Sequence, residues 1–527
     1  MRVFWTWALF APLLLGLAAC AGPRPDLDAP TETEVAANLR TAFDYIHENY
    51  YDEIRLQDVV FPGLESLQTL DPNFNTAVVR NARNDSFVEF RLGDESIYRV
   101  GKPSWYAGDG WSAVVRNTIK ALRAASPKMA DASWVETTDL VLAGVAKALD
   151  SQAVYLSRSE MKAVGLIVDD VVPEEEGIGK PREQKASAGI RLRSEDGTAR
   201  VAQVRRNSAA AQAGLRPGDI VESLEGQPAE AYSRLQMDMQ FVGTPGSELA
   251  LTVRSADGTD RRTVALRRET VDGDMPVAVW RNGILYLQIT RLWGDTIDYV
   301  KTLLQAERKK GAQSVSGIVL DLRGAAVANP YAAARFLDLF YDGDERYFST
   351  IERIHLRNHT FRPRESPEDT AIRLVVLANG ETAAAAEGMV LALQDLGRAV
   401  VVGSTTRGQG HLQTAAFLLN GGLIAFPYAR LVTPAKLAIE KRGVLPMICS
   451  GSLGGGQAAI AQLKSGQGII GRATRNREIA AGDDAAIRSH RDLCPPRIDQ
   501  DDRDLELAEA ILLDPVLYDQ ILDMGGK

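Results

Sequence analysis

Beyond about Asp272 the chain is written in short, uniformly apolar runs separated by amphipathic stretches, and that alternation leaves few folds open. The runs Ile284–Ile289, Gly317–Leu322, Leu374–Leu377 and Ala399–Val402 fit strands. Between them, Thr296–Lys310, Tyr331–Leu339 and Thr382–Leu393 read as helices, the first stopped by Gly311. Strands and helices that alternate in this way give α/β layering. Asn420-Gly421-Gly422, between Thr414–Leu419 and Leu423–Tyr428, is a hairpin signature.

Upstream the texture changes. Residues 32–168 form a helical region in which Val35, Leu39, Phe43 and Ile46 recur every three or four positions. Further helices fit Gly110–Ala125 and Thr137–Leu149, and strands fit Ser86–Leu92 and Ser96–Val100 within a polar stretch of no evident purpose. Residues 169–184 read as an acidic linker. Residues 185–272 are compact and strand-rich: Ser208 caps a short Ala helix, Gly214 supplies its left-handed stop, and Pro217-Gly218 turns the chain into Ile220–Leu224. Residues 273–446 hold the alternating core. Residues 447–527 read as a tail, Gly-rich and then polar, with a helix near Leu505–Leu513.

Residues 1–19 have the form of an export signal, with Arg2 ahead of an apolar run too short for a comfortable membrane span. The run closes as Leu17-Ala18-Ala19-Cys20, which looks like a lipobox, so Cys20 is expected to carry lipid and residues 20–31 to act as a tether. Ala21 in place of Asp after that Cys favours an outer-membrane anchor facing the periplasm. Only three Cys exist, and in an oxidising compartment Cys449 and Cys494 are expected to pair; two buried thiols are the alternative. The net charge of -9, without a basic tract, gives no footing for nucleic acid. The five His are scattered, so no metal or other cofactor is expected.

Three stretches carry a family resemblance. Ala213-Gly214-Leu215-Arg216-Pro217-Gly218-Asp219-Ile220 looks like the turn of a bacterial PDZ domain, and Gly317-Ile318-Val319-Leu320-Asp321-Leu322-Arg323 like the strand that opens a peptidase core. Asn379 to Gln413 resembles the catalytic segment of the C-terminal processing (tail-specific) serine peptidases, and the domain order agrees. The resemblance implies a crotonase-like α/β core, an inserted β-rich PDZ domain and a helical N-terminal region. It also implies a Ser–Lys dyad, in which burial makes the Lys a base for the Ser hydroxyl.

Here the sequence departs from the pattern. The family's nucleophile falls on Ala384 within Thr382-Ala383-Ala384-Ala385-Ala386-Glu387, and its base falls on Gln409 within Gly408-Gln409-Gly410. A methyl group offers no nucleophile and an amide no base. Gln413, the helper position, is retained, whereas the loop matching the oxyanion hole reads Gly324-Ala325-Ala326-Val327-Ala328. The expectation is therefore a protein that binds protein or peptide C-termini through its PDZ domain without cleaving them. The rival is a hydrolase using Thr382 or a Ser of the Gly403–Gly410 turn; Lys436 and Lys441 would need to fold back to act as base, and His411, the other base candidate, reads otherwise as a partly exposed residue beside a Gly-rich turn. In the PDZ domain, Ala188, Gly189, Ile190 and Leu192 are the candidate carboxylate loop and strand edge, and Leu235 and Met239 the candidate side-chain pocket. A homodimer or an active peptidase relative are the expected protein partners.

Overall fold

The computed structural model describes residues 29–80, 86–163, 186–195, 198–204, 208–231, 237, 240–243, 246–270, 276–292, 294–309, 316–327, 329–364, 372–434, 437–480, 482–498 and 502–526. Cys20, Leu235 and Met239 lie outside these residues, as does the acidic linker. The chain divides into two compact units, the first built from residues up to Asp44, Arg55–Ala148 and Leu418–Gly421.

In the first unit the helical periodicity does what it suggests. Val35, Leu39 and Phe43 of helix Glu32–Asn49 are buried, and helices Gln57–Glu65, Gly108–Ala125 and Trp134–Leu149 follow. Helix contact is made close by glycine: a Cβ on Gly144 would stand 2.9 Å from the Gly63 Cα and 2.0 Å from the Ser66 hydroxyl. The polar stretch folds as a three-stranded antiparallel sheet, Phe74–Arg80, Ser86–Leu92 and Glu95–Gly101. Its first strand is unreadable from pattern because Phe74 is buried while Val78 is exposed.

The second unit contains two sheet systems that matter for function. Strands Arg261–Arg267, Glu248–Arg254, Ile220–Leu224, Thr198–Val204 and Ile190–Glu195 form an antiparallel sheet in that order, with Ile190–Glu195 at its edge. Leu192, Val201, Leu224, Phe241, Leu249 and Leu251 fill its core. The Ser208 hydroxyl caps the short Ala209–Gln212 helix by accepting from the Ala211 amide at 3.2 Å.

The larger system is a six-stranded sheet in the order Val277–Arg281, Ile284–Gln288, Gly317–Asp321, Leu374–Ala378, Val400–Gly403 and Ile448–Cys449. The first pair is antiparallel and every later pair parallel. The four middle strands are buried at each position, which is why they read as unbroken apolar runs. An antiparallel sheet beside it includes Phe348–Glu352, Leu423–Val432 and His411–Phe417, the last two forming the expected hairpin.

The C-terminal segment is not a tail. Helices Asp502–Leu513 and Pro515–Gly526 send Leu505, Ala508, Ile511, Leu512, Tyr518 and Ile521 into the same core as the six-stranded sheet. The Tyr518 hydroxyl donates to the Leu374 carbonyl at 3.1 Å. An ionic network, fully buried at Asp321, Arg323 and Asp504, completes the junction: Arg323 reaches Asp321 at 2.7 Å and Asp504 at 3.4 Å, half-buried Arg497 reaches Asp504 at 2.9 Å, and the Tyr286 hydroxyl donates to Asp321 at 2.6 Å. Burial opposes the Arg323 charge, but the two carboxylates outweigh it and hold the guanidinium above its ordinary range. Cys449 and Cys494 are joined in a disulfide. Among the described residues no helix is long and apolar enough to cross a membrane.

Candidate functional site

The site is assembled from two loops that leave the C-terminal ends of parallel strands, the position where open α/β sheets carry ligands. The first, residues 379–384, follows Leu374–Ala378 and enters helix Ala385–Asp395; the second, residues 404–410, follows Val400–Gly403 and enters His411–Phe417. The helix begins three residues later than its periodicity suggests. Thr382 is taken out of it because its hydroxyl donates to the Leu322 carbonyl at 2.8 Å and accepts from the Asn379 amide at 3.1 Å.

Ala384 sits at the turn between strand and helix with φ 55° and ψ -133°, a conformation that side-chain-bearing residues adopt at a cost of order 1–3 kcal/mol. Ala326–Val327 pairs in parallel with Ala383–Ala384, and the Asn379 carboxamide accepts from the Gly324 amide at 3.0 Å. The loop that resembles an oxyanion hole is thereby fastened beside Ala384.

Glu387 ties the two loops together. Its carboxylate accepts from the Ala384 amide at 3.1 Å, the Thr406 hydroxyl at 2.5 Å and the Gly408 amide at 2.7 Å. Complete burial pushes its pKa up to about 7, against the opposing pull of the Thr406 hydroxyl, the Gly408 amide, Arg407 and the Ala384 amide. In the sequence Glu387 is only the last residue of the Thr382–Glu387 run; three donors converging on one buried carboxylate is information that only the fold supplies.

Gln409 lies between two glycines that the packing demands. A Cβ on Gly408, at φ +80°, would stand 2.8 Å from the Lys441 carbonyl carbon, and one on Gly410 would stand 2.3 Å from the Glu440 amide. The Arg491 guanidinium holds this crossing from the other side, with Nη1 donating to the carbonyls of Thr406 at 3.2 Å, Lys441 at 3.0 Å and Arg442 at 3.0 Å. Gln413 points its amide at the Gln152 carbonyl, 3.2 Å away, and is exposed.

The remaining hydroxyls near the loops are committed elsewhere. Ser404 accepts from the Arg497 amide at 2.9 Å, Thr405 donates to the Cys494 carbonyl at 2.5 Å, and Thr406 donates to Glu387. His411 is buried rather than partly exposed, with its ring 4.5 Å from that of Tyr51. Its Nε2 stands 3.2 Å from Glu440 Oε2, and this imidazole is the main influence holding the Glu440 carboxyl below its ordinary range. Lys441 faces Asp484 at 3.4 Å. Among the described residues no group of His, Cys, Asp and Glu could hold a metal ion.

In the strand-rich domain, Ala188, Ile190 and Leu192 bury their side chains in the domain core, so only their backbone is available to a ligand. Gly189 takes φ +77° and its amide donates to the Ser187 hydroxyl at 3.1 Å. Ser208 fixes the loop by donating to the Gly189 carbonyl at 3.4 Å. The pocket expected at Leu235 and Met239 lies outside the described residues.

Known proteins resemble the chain along both parts. The profile of Peptidase family S41 matches residues 283–449 and that of the PDZ domain residues 187–266. The carboxy-terminal processing protease CtpA of Bacillus subtilis is 24% identical over 377 residues, 71% of this chain and 75% of that one. The chloroplastic carboxyl-terminal-processing peptidase 2 of Arabidopsis thaliana is 29% identical over 251 residues, but only 45% of this chain and 46% of that one are aligned. The structure of the photosystem II D1 C-terminal processing protease superposes with a TM-score of 0.52 at 19% identity, covering 78% of this chain and 92% of that one, which speaks to the fold alone. The match of residues 283–449 to Peptidase family S41, the embedded PDZ match and relatives named as C-terminal processing proteases together support placing the chain with the tail-specific serine peptidases.

Proposed function

We propose that this protein binds the C-termini of proteins or peptides and does not cleave them. The observation that carries the proposal is Ala384, which keeps a strained strand-to-helix turn while presenting a methyl group. Strain of this kind is retained where the surroundings over-determine it, and here Glu387 and the Ala326–Val327 pairing do so. The neutral carboxamide of Gln409 stands where the family places its base. Loss of nucleophile and base together removes about six decades of rate in a comparable serine peptidase. The hydrolase alternative would need a free hydroxyl, and Thr382, Ser404, Thr405 and Thr406 are each engaged in hydrogen bonds.

Binding would use the edge strand Ile190–Glu195, to which a peptide adds as another strand while its carboxylate meets the amides around Gly189. A fluorescent peptide with an apolar C-terminus should bind saturably and stay intact, and its amidated form should bind at least about tenfold more weakly. Fragments that appear with the parent and vanish with Thr382→Ala would overturn the non-cleaving reading. Absence of saturable binding would remove the recognition reading.

The proposed setting is the periplasmic face of the outer membrane, with lipid on Cys20 and residues 20–31 as the tether. The lipobox-like sequence supports it. Cys20→Ala should move the protein from the membrane fraction to the soluble fraction; an unchanged distribution counts against the anchor. A disulfide between Cys449 and Cys494 suits such an oxidising compartment. An active relative sharing its substrates is the partner this role implies.

A further inference from the structure

We infer that a cavity at the far end of helix Ala385–Asp395 binds an aliphatic carboxylate, at a site separate from both Ala384 and the PDZ edge. The helix places it about 16 Å along the axis from Ala384, at 1.5 Å per residue. The cavity measures about 350 Å³, within the range of small-ligand sites.

Three arginines line it, Arg346, Arg362 and Arg472, each exposed and without a carboxylate partner among the described residues. Surface guanidinium groups are ordinarily paired or solvated singly; three on one concavity create a field that a planar anion can satisfy bidentately. The acidic residues there do not cancel it. Asp395 Oδ2 accepts from Asn476 Nδ2 at 2.8 Å, its Oδ1 faces Arg475 at 3.6 Å without a hydrogen bond, and Glu345 receives the Tyr341 hydroxyl. The three lining guanidinium groups with Arg475 behind them, against Asp344, Glu345 and Asp395, leave about one net positive charge, which matches a monoanion better than a phosphate.

The rest of the lining sets the body of the ligand. Tyr347 and Ala392 are buried and Leu396 is half-buried, so apart from Thr433 and Asp395 the depth of the cavity is apolar, while the three guanidinium groups stand at its exposed margin. A bare inorganic anion would leave that surface unmatched. An apolar group bearing one carboxylate fits both halves. Two sources offer this chemistry: the C-terminal residue of a peptide and a free short-chain acid.

The test titrates the full chain with N-acetyl-leucine, N-acetyl-leucinamide and 4-methylpentanoate, following methyl signals of Ala392 and Leu396. Saturable shifts are expected with at least one acid, at least tenfold weaker with the amide, and at least tenfold weaker for the acid in Arg362→Glu and in Arg472→Glu. Preference for N-acetyl-leucine assigns the site to peptide termini, and equal or better binding of 4-methylpentanoate assigns it to free acids. Gly189→Val, in the PDZ loop, should leave these shifts unchanged. Equal binding of the amide, insensitivity to both charge reversals, or no shift with either acid at millimolar concentration overturns the inference.

Discussion

Arg323→Met should destabilise the peptidase-like core by about 3–5 kcal/mol, the cost typical of breaking a buried ion pair by removing one partner. Asp321, Arg323 and Asp504 are all fully buried, and Arg323 is the cation that both carboxylates share. Its removal leaves Asp321 with the Tyr286 hydroxyl and Asp504 with Arg497, so two carboxylates face a vacancy that water cannot fill cheaply. Asp504→Asn should cost less, about 1–2 kcal/mol, because Arg323 keeps Asp321 and the amide oxygen still accepts from Arg497. Adding Asp321→Asn to Arg323→Met should recover part of the loss, since it removes the carboxylate that is left without a cation. The measurement is denaturant dependence of amide exchange in Gly317–Asp321, which reports this sheet alone. A parent-like value for Arg323→Met would mean that the network is energetically idle.

The second large effect is a pH dependence hidden in the parent protein. Glu387 has a folded pKa of about 7 against an ordinary 4.5, so the folded chain keeps a proton that the unfolded chain releases. Its contribution is fully present below about pH 4.5 and is lost as pH rises through about 7, amounting to roughly 3 kcal/mol at about 1.4 kcal/mol per unit. His490 works the other way. Burial, helped by Arg442, Arg477 and Arg491, lowers it to about 4 from 6.5, so its contribution is present above pH 6.5 and lost as pH falls through about 4. Between pH 4.5 and 6.5 the two slopes oppose each other, and the parent should show a shallow profile. Glu387→Gln removes the falling limb, so stability of that variant should rise with pH from 4 to 6.5 and then level off. His490→Gln should expose the falling limb. Denaturation midpoints at half-unit pH steps decide it, and a Glu387→Gln profile parallel to the parent would exclude this carboxyl as the source.

How much of this was legible in the sequence depends on what each residue's neighbours are. The strands of the six-stranded sheet announced themselves because both faces are covered, and their apolar runs need no partner information. Ala384 and Gln409 were legible as chemistry, since a methyl and an amide exclude nucleophile and base wherever they lie. The conformation of Ala384 was not, because positive φ at a non-glycine residue is imposed from outside. Residues 447–527 were misread for a related reason: Asp504 and Arg497 look like surface charges until Arg323, far away in sequence, is placed beside them. His411 misled in the same manner, its glycine-rich flank suggesting a turn where the packing buries it against Tyr51.

The contacts of residues 491–497 bear on the order in which the molecule can be made. This stretch touches both loops of the site: Arg491 donates to the Thr406 carbonyl, the Cys494 carbonyl accepts from the Thr405 hydroxyl, and the Arg497 carbonyl accepts from the Gly380 amide at 2.6 Å. Ribosomes deliver the N-terminal side first, so a nascent chain that has only reached residue 446 carries every family motif and yet lacks the pieces that hold them in place. Assembly of the cleft must therefore wait until residues 491–497 have left the ribosome, well after every strand of the sheet has been made.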